Sequence, residues 1–187
     1  FDQFHLDLFN KGVTVADNVA AIEALHRLEA RFSDTFEFRR YRAHGVVLFT
    51  PWTTPEQLVN AAEVMDKVDF HELRAAAWRT RLRIYPGLPL HALALRDGLT
   101  ETAFPEARPD RAREQGYNAS VPWTFADRRT ELVFAVLQQL AWRLEGRLTE
   151  AQVVGLVAHF AIGHPALCDA LDIAHLPLLA GLIAQGP

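Results

Sequence analysis

The sequence predicts an α/β half-barrel followed by an all-helical extension, and three observations carry that expectation. The first is the segment His44-Gly45-Val46-Val47-Leu48-Phe49-Thr50-Pro51-Trp52-Thr53-Thr54-Pro55, which reads as a buried strand, a Pro-marked turn and a helix start. Arg81-Leu82-Arg83-Ile84-Tyr85-Pro86-Gly87-Leu88-Pro89-Leu90 repeats the same unit. Strand ends and the loops after them are where α/β folds place their chemistry. Third, the apolar pattern after Thr124 is helical throughout.

The elements follow in order. Phe1, Phe4, Leu8 and Phe9 form a helical face, closed by Asn10-Lys11-Gly12, where Asn and Gly tolerate left-handed backbone. Val15, Val19, Ile22, Leu25 and Leu28 recur at three- and four-residue steps, predicting an amphipathic helix over Thr14 to Phe32 that Ser33-Asp34 breaks. Phe36 to Phe49 is rich in aromatic and β-branched residues and ends on four apolar ones, Val46 to Phe49, so a strand is expected over its second half. Thr54-Pro55-Glu56-Gln57 supplies a hydroxyl N-cap, Pro at N1 and Gln at N3, a capping box that opens a helix to about Val68. A shorter piece spans His71 to Trp78, a second strand Arg81 to Tyr85, and a short helix Leu88 to Arg96, stopped by Asp97-Gly98. Polar, Pro- and Arg-rich sequence then makes a connector. A long helix is expected over Phe125 to Glu145, a Thr149–Gln152 capping box opens another to about Ile162, and Gly163-His164-Pro165 turns into one or two last helices ending near Gln185. The expected domains are 1–99 for the partial barrel, 100–123 for the connector and 124–187 for the helical extension.

Composition narrows the function classes. At 187 residues and 21.0 kDa there is room for one substantial core. A net charge of −4 argues against a nucleic-acid partner. No apolar run approaches the ~20 residues of a bilayer span, so no membrane partner is expected. One cysteine excludes an internal disulfide framework, which makes a reducing cytoplasm the expected compartment. The chain opens on Phe1 in mid-pattern without Met, as expected of a piece cut from a larger protein.

Three stretches occur in suggestive order: Leu8-Phe9-Asn10-Lys11-Gly12-Val13-Thr14-Val15, Gly45-Val46-Val47-Leu48-Phe49-Thr50-Pro51-Trp52-Thr53-Thr54, and Leu82-Arg83-Ile84-Tyr85-Pro86-Gly87-Leu88-Pro89-Leu90. From about Leu6 to Trp123 the chain resembles the second half of a radical S-adenosylmethionine (radical SAM) enzyme, of the kind often joined to a cobalamin-binding domain. The resemblance implies the C-terminal portion of a (β/α)6 partial barrel. In that family an NKG-T turn follows the fourth strand, a gf-F-P-TT loop the fifth, and R-YPGTPL forms the sixth. The implied cofactors are S-adenosylmethionine and a [4Fe–4S] cluster, with cobalamin possible, all in the parent enzyme. The cluster loop, three cysteines spaced C-x3-C-x2-C, is absent here, as is the glycine-rich segment that holds the methionine amino group. Alone, this chain is therefore expected neither to bind a cluster nor to cleave S-adenosylmethionine. By position, the resemblance implies that Val47, Phe49, Ile84 and Tyr85 surround the adenine, and that Lys11 faces the methionine carboxylate.

Each residue also has a plainer reading. Val47, Phe49 and Ile84 suit a strand core. Trp52 caps a pocket or simply covers the barrel mouth, and the Tyr85 hydroxyl anchors its turn or faces substrate. His44 lies at the start of its strand, away from the chemistry, and Arg39, Arg40 and Arg42 suit a solvated face. Cys168 with His159, His164 and His175 has spacings (C-x6-H, H-x4-H) that match no zinc pattern. No Ser-His-Asp signature, phosphate-binding glycine loop or carboxylate pair is recognisable. The alternative function is a free-standing, non-catalytic α/β module for interaction or small-molecule binding. On the barrel reading, the expected partner is the missing N-terminal half or a second copy joined through the strand edge, unless Phe1 to Phe9 covers that edge.

Overall fold

The computed structural model describes residues 2–38, 47–68, 81–100, 120–140 and 148–171. The expected features at His44, the arginines 39, 40 and 42, the 71–78 piece, most of the connector and His175 lie outside them. Helix α1 (Gln3–Leu8) begins where the Asp2 carboxylate accepts the His5 N–H at 3.3 Å. It ends in a Schellman pair, Lys11 N–H to Leu6 C=O and Asn10 N–H to Asp7 C=O, both 2.9 Å, with Asn10 at φ 50°. Helix α2 (Val15–Arg31) opens on a capping box between Thr14 and Asp17, and α3 (Pro55–Lys67) on the expected one between Thr54 and Gln57. Helix α4 (Pro89–Arg96) closes with Leu99 N–H on Ala94 C=O at 2.8 Å and Gly98 at φ 69°. Helix α5 (Arg128–Leu140) starts three residues later than the periodicity predicts, because the Asp127 carboxylate takes the Arg129 N–H at 2.8 Å and fixes the start there. Helix α6 (Glu150–Gly163) uses the Thr149–Gln152 box, and α7 (Pro165–Ala170) begins with Pro at N1 after His164.

The α/β expectation is overturned. Among the described residues there is no sheet and no barrel, and the two predicted strands make single bridges only: Phe49 with Arg81, parallel, and Ile84 with Val121, antiparallel. Side chains have taken the backbone groups a ladder would use. The Thr50 N–H goes to Thr53 Oγ1 at 2.8 Å, and the same hydroxyl lies 3.2 Å from the Leu48 carbonyl, while Pro51 has no N–H to give. In the other segment the Trp123 indole N–H takes the Leu82 carbonyl at 2.8 Å, and Pro86 ends the run. Among the described residues, what remains is a parallel backbone bond, Leu82 N–H to Phe49 C=O at 2.8 Å, and an antiparallel one, Val121 N–H to Ile84 C=O at 2.7 Å.

The core is helical. Helix α3 packs chiefly on α6, and α5 packs on α6 and α7. Leu58 and Met65 of α3 meet Val133 and Leu137 of α5 and Val154 and Ala158 of α6, with Phe49 in the same cluster. Burial of each of the larger side chains stabilises by about 1.5–3 kcal/mol. A second cluster gathers Ile84, Ala94, Leu99, Val121 and Trp123, and Phe125 packs against both. The main core thus draws on residues from both sides of the connector. No helix among the described residues is long and apolar enough to cross a membrane.

Candidate functional site

Among the described residues, the Thr50-Pro51-Trp52-Thr53-Thr54 turn is densely hydrogen-bonded. Pro51 presets φ, and the Thr53 N–H closes the turn on the Thr50 carbonyl at 3.2 Å. Thr50 and Thr53 are fully buried. Helix α1 reaches them through His5, whose Nε2 lies 2.9 Å from Thr53 Oγ1 and 3.3 Å from Thr50 Oγ1. His5 Nδ1 lies 3.3 Å from the Asp2 carboxylate. That carboxylate holds the ring proton on Nδ1, so neutral Nε2 accepts from a threonine hydroxyl. Burial pulls the His5 pKa below its ordinary value, and the Asp2 charge only partly offsets this.

The same turn is clamped from the other side. The Ala126 N–H donates to the Pro51 carbonyl at 2.8 Å, and the buried Thr130 hydroxyl donates to the Thr53 carbonyl at 2.7 Å. Trp52 donates its indole N–H to Asp97 at 2.8 Å, tying the first turn to the end of α4. Asp97 is held below the usual carboxylate range by its bond from Arg96 and by that from Trp52. The second turn, Tyr85-Pro86-Gly87-Leu88, is type II in character: Gly87 has φ 79°, and the Leu88 N–H reaches the Tyr85 carbonyl at 3.3 Å. The parallel bridge sets both segments side by side and running the same way.

Arg81 holds the pair against the C-terminal part of the chain. Its guanidinium lies 4.0 Å from the Trp123 ring centroid, 5.1 Å from that of Phe125 and 5.2 Å from that of Phe134. Arg81 Nη2 donates to the Trp123 carbonyl at 2.9 Å, while its buried Nε has no hydrogen-bond partner.

The residues nominated from sequence are distributed as follows. Phe49 is 0% exposed, its ring edge-on to Phe134 at 4.9 Å, and Ile84 is buried in the second cluster. Val47 and Tyr85 are half-buried, and Lys11 is exposed beyond α1. The bridge brings Phe49 near Ile84's segment, whereas Lys11 belongs to the α1 end of the molecule. His5, Thr50, Thr53 and Arg81 organise the region; Thr50, Thr53 and Arg81 lie within the two segments read from sequence but are not singled out there, and His5 lies outside them. A polar His one turn before Phe9 on an apolar face was the available clue for the first.

The implied cluster does not fit this chain. Its single cysteine, Cys168, is buried, with Sγ 3.9 Å from the Ala161 carbonyl, and burial pushes its thiol pKa up. Among the described residues no group of three or more His, Cys, Asp or Glu side chains could hold a metal ion. The Asp2–His5–threonine relay has a carboxylate, an imidazole and a hydroxyl in sequence, but its hydroxyls are sealed from substrate, so it acts as a lock and not as a nucleophile. No family model matches the chain, and neither a curated protein nor a solved structure does so.

Proposed function

We propose that this chain is the C-terminal portion of a radical SAM enzyme and contributes surface on the adenine and substrate side, with the cluster held by residues outside it. The observation that supports this reading is the side-by-side placement of the two motif-bearing segments, joined by the Leu82 N–H to Phe49 C=O bond and by Trp52 to Asp97. The first turn is fixed by buried hydrogen bonds and the second is closed by the Leu88 N–H on the Tyr85 carbonyl, in keeping with a wall that orients substrate and excludes water. The role assigned to this chain is positional: a rigid apolar wall, with no redox step of its own. The partner the reading calls for is the polypeptide that carries the three cysteines.

The test is anaerobic reconstitution of the whole gene product with iron and sulfide. A cluster absorbance and reductant-dependent formation of 5′-deoxyadenosine from S-adenosylmethionine are expected, with neither from residues 1–187 alone. A whole product lacking the C-x3-C-x2-C loop and both signals overturns the reading.

A second reading, a non-catalytic interaction module, is favoured by one observation: the main core is built from α3, α5, α6 and α7, all within this chain. A cooperative melt and a monodisperse monomer from residues 1–187 would support that alternative.

A further inference from the structure

Helix α1 is fastened to the rest of the molecule by polar contacts more than by apolar burial. Among the described residues, none of its side chains belongs to either apolar cluster, and Phe4 is 40% exposed. Its bonds to distant sequence come from His5, whose Nε2 lies 2.9 Å from Thr53 Oγ1 and 3.3 Å from Thr50 Oγ1. Gln3 ties it to the adjoining corner instead, its side-chain oxygen accepting the Val15 N–H at 3.2 Å on the exposed surface.

We propose that α1 is a latch, which leaves the 50–54 turn and melts while the helical core stays folded, baring the Thr50 and Thr53 hydroxyls to solvent. Three observations carry the inference, which is independent of the radical SAM reading. A hinge stands directly after the helix: Asn10 and Gly12 both have left-handed backbone, at φ 50° and 64°, and no atom lies within 4 Å of where a Gly12 Cβ would stand. The turn also keeps its own bonds when His5 departs. Thr53 Oγ1 still accepts the Thr50 N–H at 2.8 Å, and it lies 3.0 Å from Thr50 Oγ1 and 3.2 Å from the Leu48 carbonyl. Release therefore strands no polar group of the turn. Finally, α1 has six residues, too few for a helix to persist alone in water, so release and melting are one event. The core needs nothing from α1, because its principal packing joins α3, α5, α6 and α7.

The test is thiol accessibility in the full chain on a Cys168→Ala background. Thr50→Cys places a thiol beneath His5, and Val154→Cys, at a position 1% exposed in α6, reports the core. The proposal expects maleimide to label Thr50→Cys about tenfold faster or more, with a shallower urea dependence, since releasing α1 exposes less surface than global unfolding. Val133→Ala, in the core of α5, should speed labelling at Val154→Cys and leave Thr50→Cys unchanged. Labelling of Thr50→Cys that follows the core in rate, urea dependence or response to Val133→Ala overturns the proposal. Hydrogen exchange in the unsubstituted chain gives a second measurement. The Leu6, Phe9 and Lys11 amides, which donate to carbonyls of α1 and its N-cap, should share one opening free energy below that of the Val154 amide. Protection equal to that of Val154, or a gradient along α1 that marks fraying, overturns it as well.

Discussion

Thr53 shows how much one buried hydroxyl can organise. It receives the Thr50 N–H, lies 3.2 Å from the Leu48 carbonyl and meets His5 Nε2 at 2.9 Å. Thr53→Val keeps the shape and strands these groups without water, so a loss of about 2–3 kcal/mol is expected in urea unfolding, against about 1 kcal/mol or less for Thr53→Ser. His5 makes the lock sensitive to pH. Its folded-state pKa is depressed from an ordinary 6.5, so the native state prefers the neutral ring. As pH falls through 6.5 the unfolded chain takes up a proton first, and stability declines until the folded-state pKa is passed. The wild type should therefore lose more melting temperature between pH 7.5 and pH 5.5 than His5→Gln does. An identical slope in both would show that the imidazole does not titrate against the fold. Neither role was legible in the sequence, because His5 finds its partners 45 and 48 residues away.

At the scale of elements, the sequence was most informative where the causes are local. The capping boxes at Thr54–Gln57 and Thr149–Gln152 need only four consecutive residues, and both formed where the motif stands. Asn10, Gly87 and Gly98 likewise adopt left-handed backbone at the breaks their residue types mark. The strands failed for a local reason in one segment and a distant one in the other. Val47-Leu48-Phe49 and Arg81-Leu82-Arg83-Ile84 have strand composition, but threonine hydroxyls and an indole from position 123 satisfy the backbone groups that further pairing needs. Composition reports what a segment can do, and competition from side chains, near (Thr53) or distant (Trp123), decides what it does. The close packing of α3 on α6 gives a sharper element-scale prediction. A Cβ built at Gly155 would stand 3.6 Å from the Ala62 Cβ, an ordinary contact. Gly155→Ala should thus recover helix propensity and stabilise by about 0.5–1 kcal/mol, read as a higher urea midpoint. Gly155→Leu should destabilise, because the helices would have to part.

Across the whole molecule, two apolar clusters are joined by Phe125 and by the Arg81 guanidinium lodged among Trp123, Phe125 and Phe134. Through that joint the paired motif segments are part of the same packed body as the C-terminal helices. Hydrogen exchange at the Leu82 amide, which donates a parallel backbone bond to the Phe49 carbonyl, probes this arrangement most directly. If the two segments are held side by side as described, that amide exchanges only on global unfolding, with the same protection as the amides of Met65 in α3 and Val154 in α6. Exchange of the Leu82 amide at the rate of an open loop, while α3 and α6 stay protected, would contradict the pairing and remove the support for a shared functional wall.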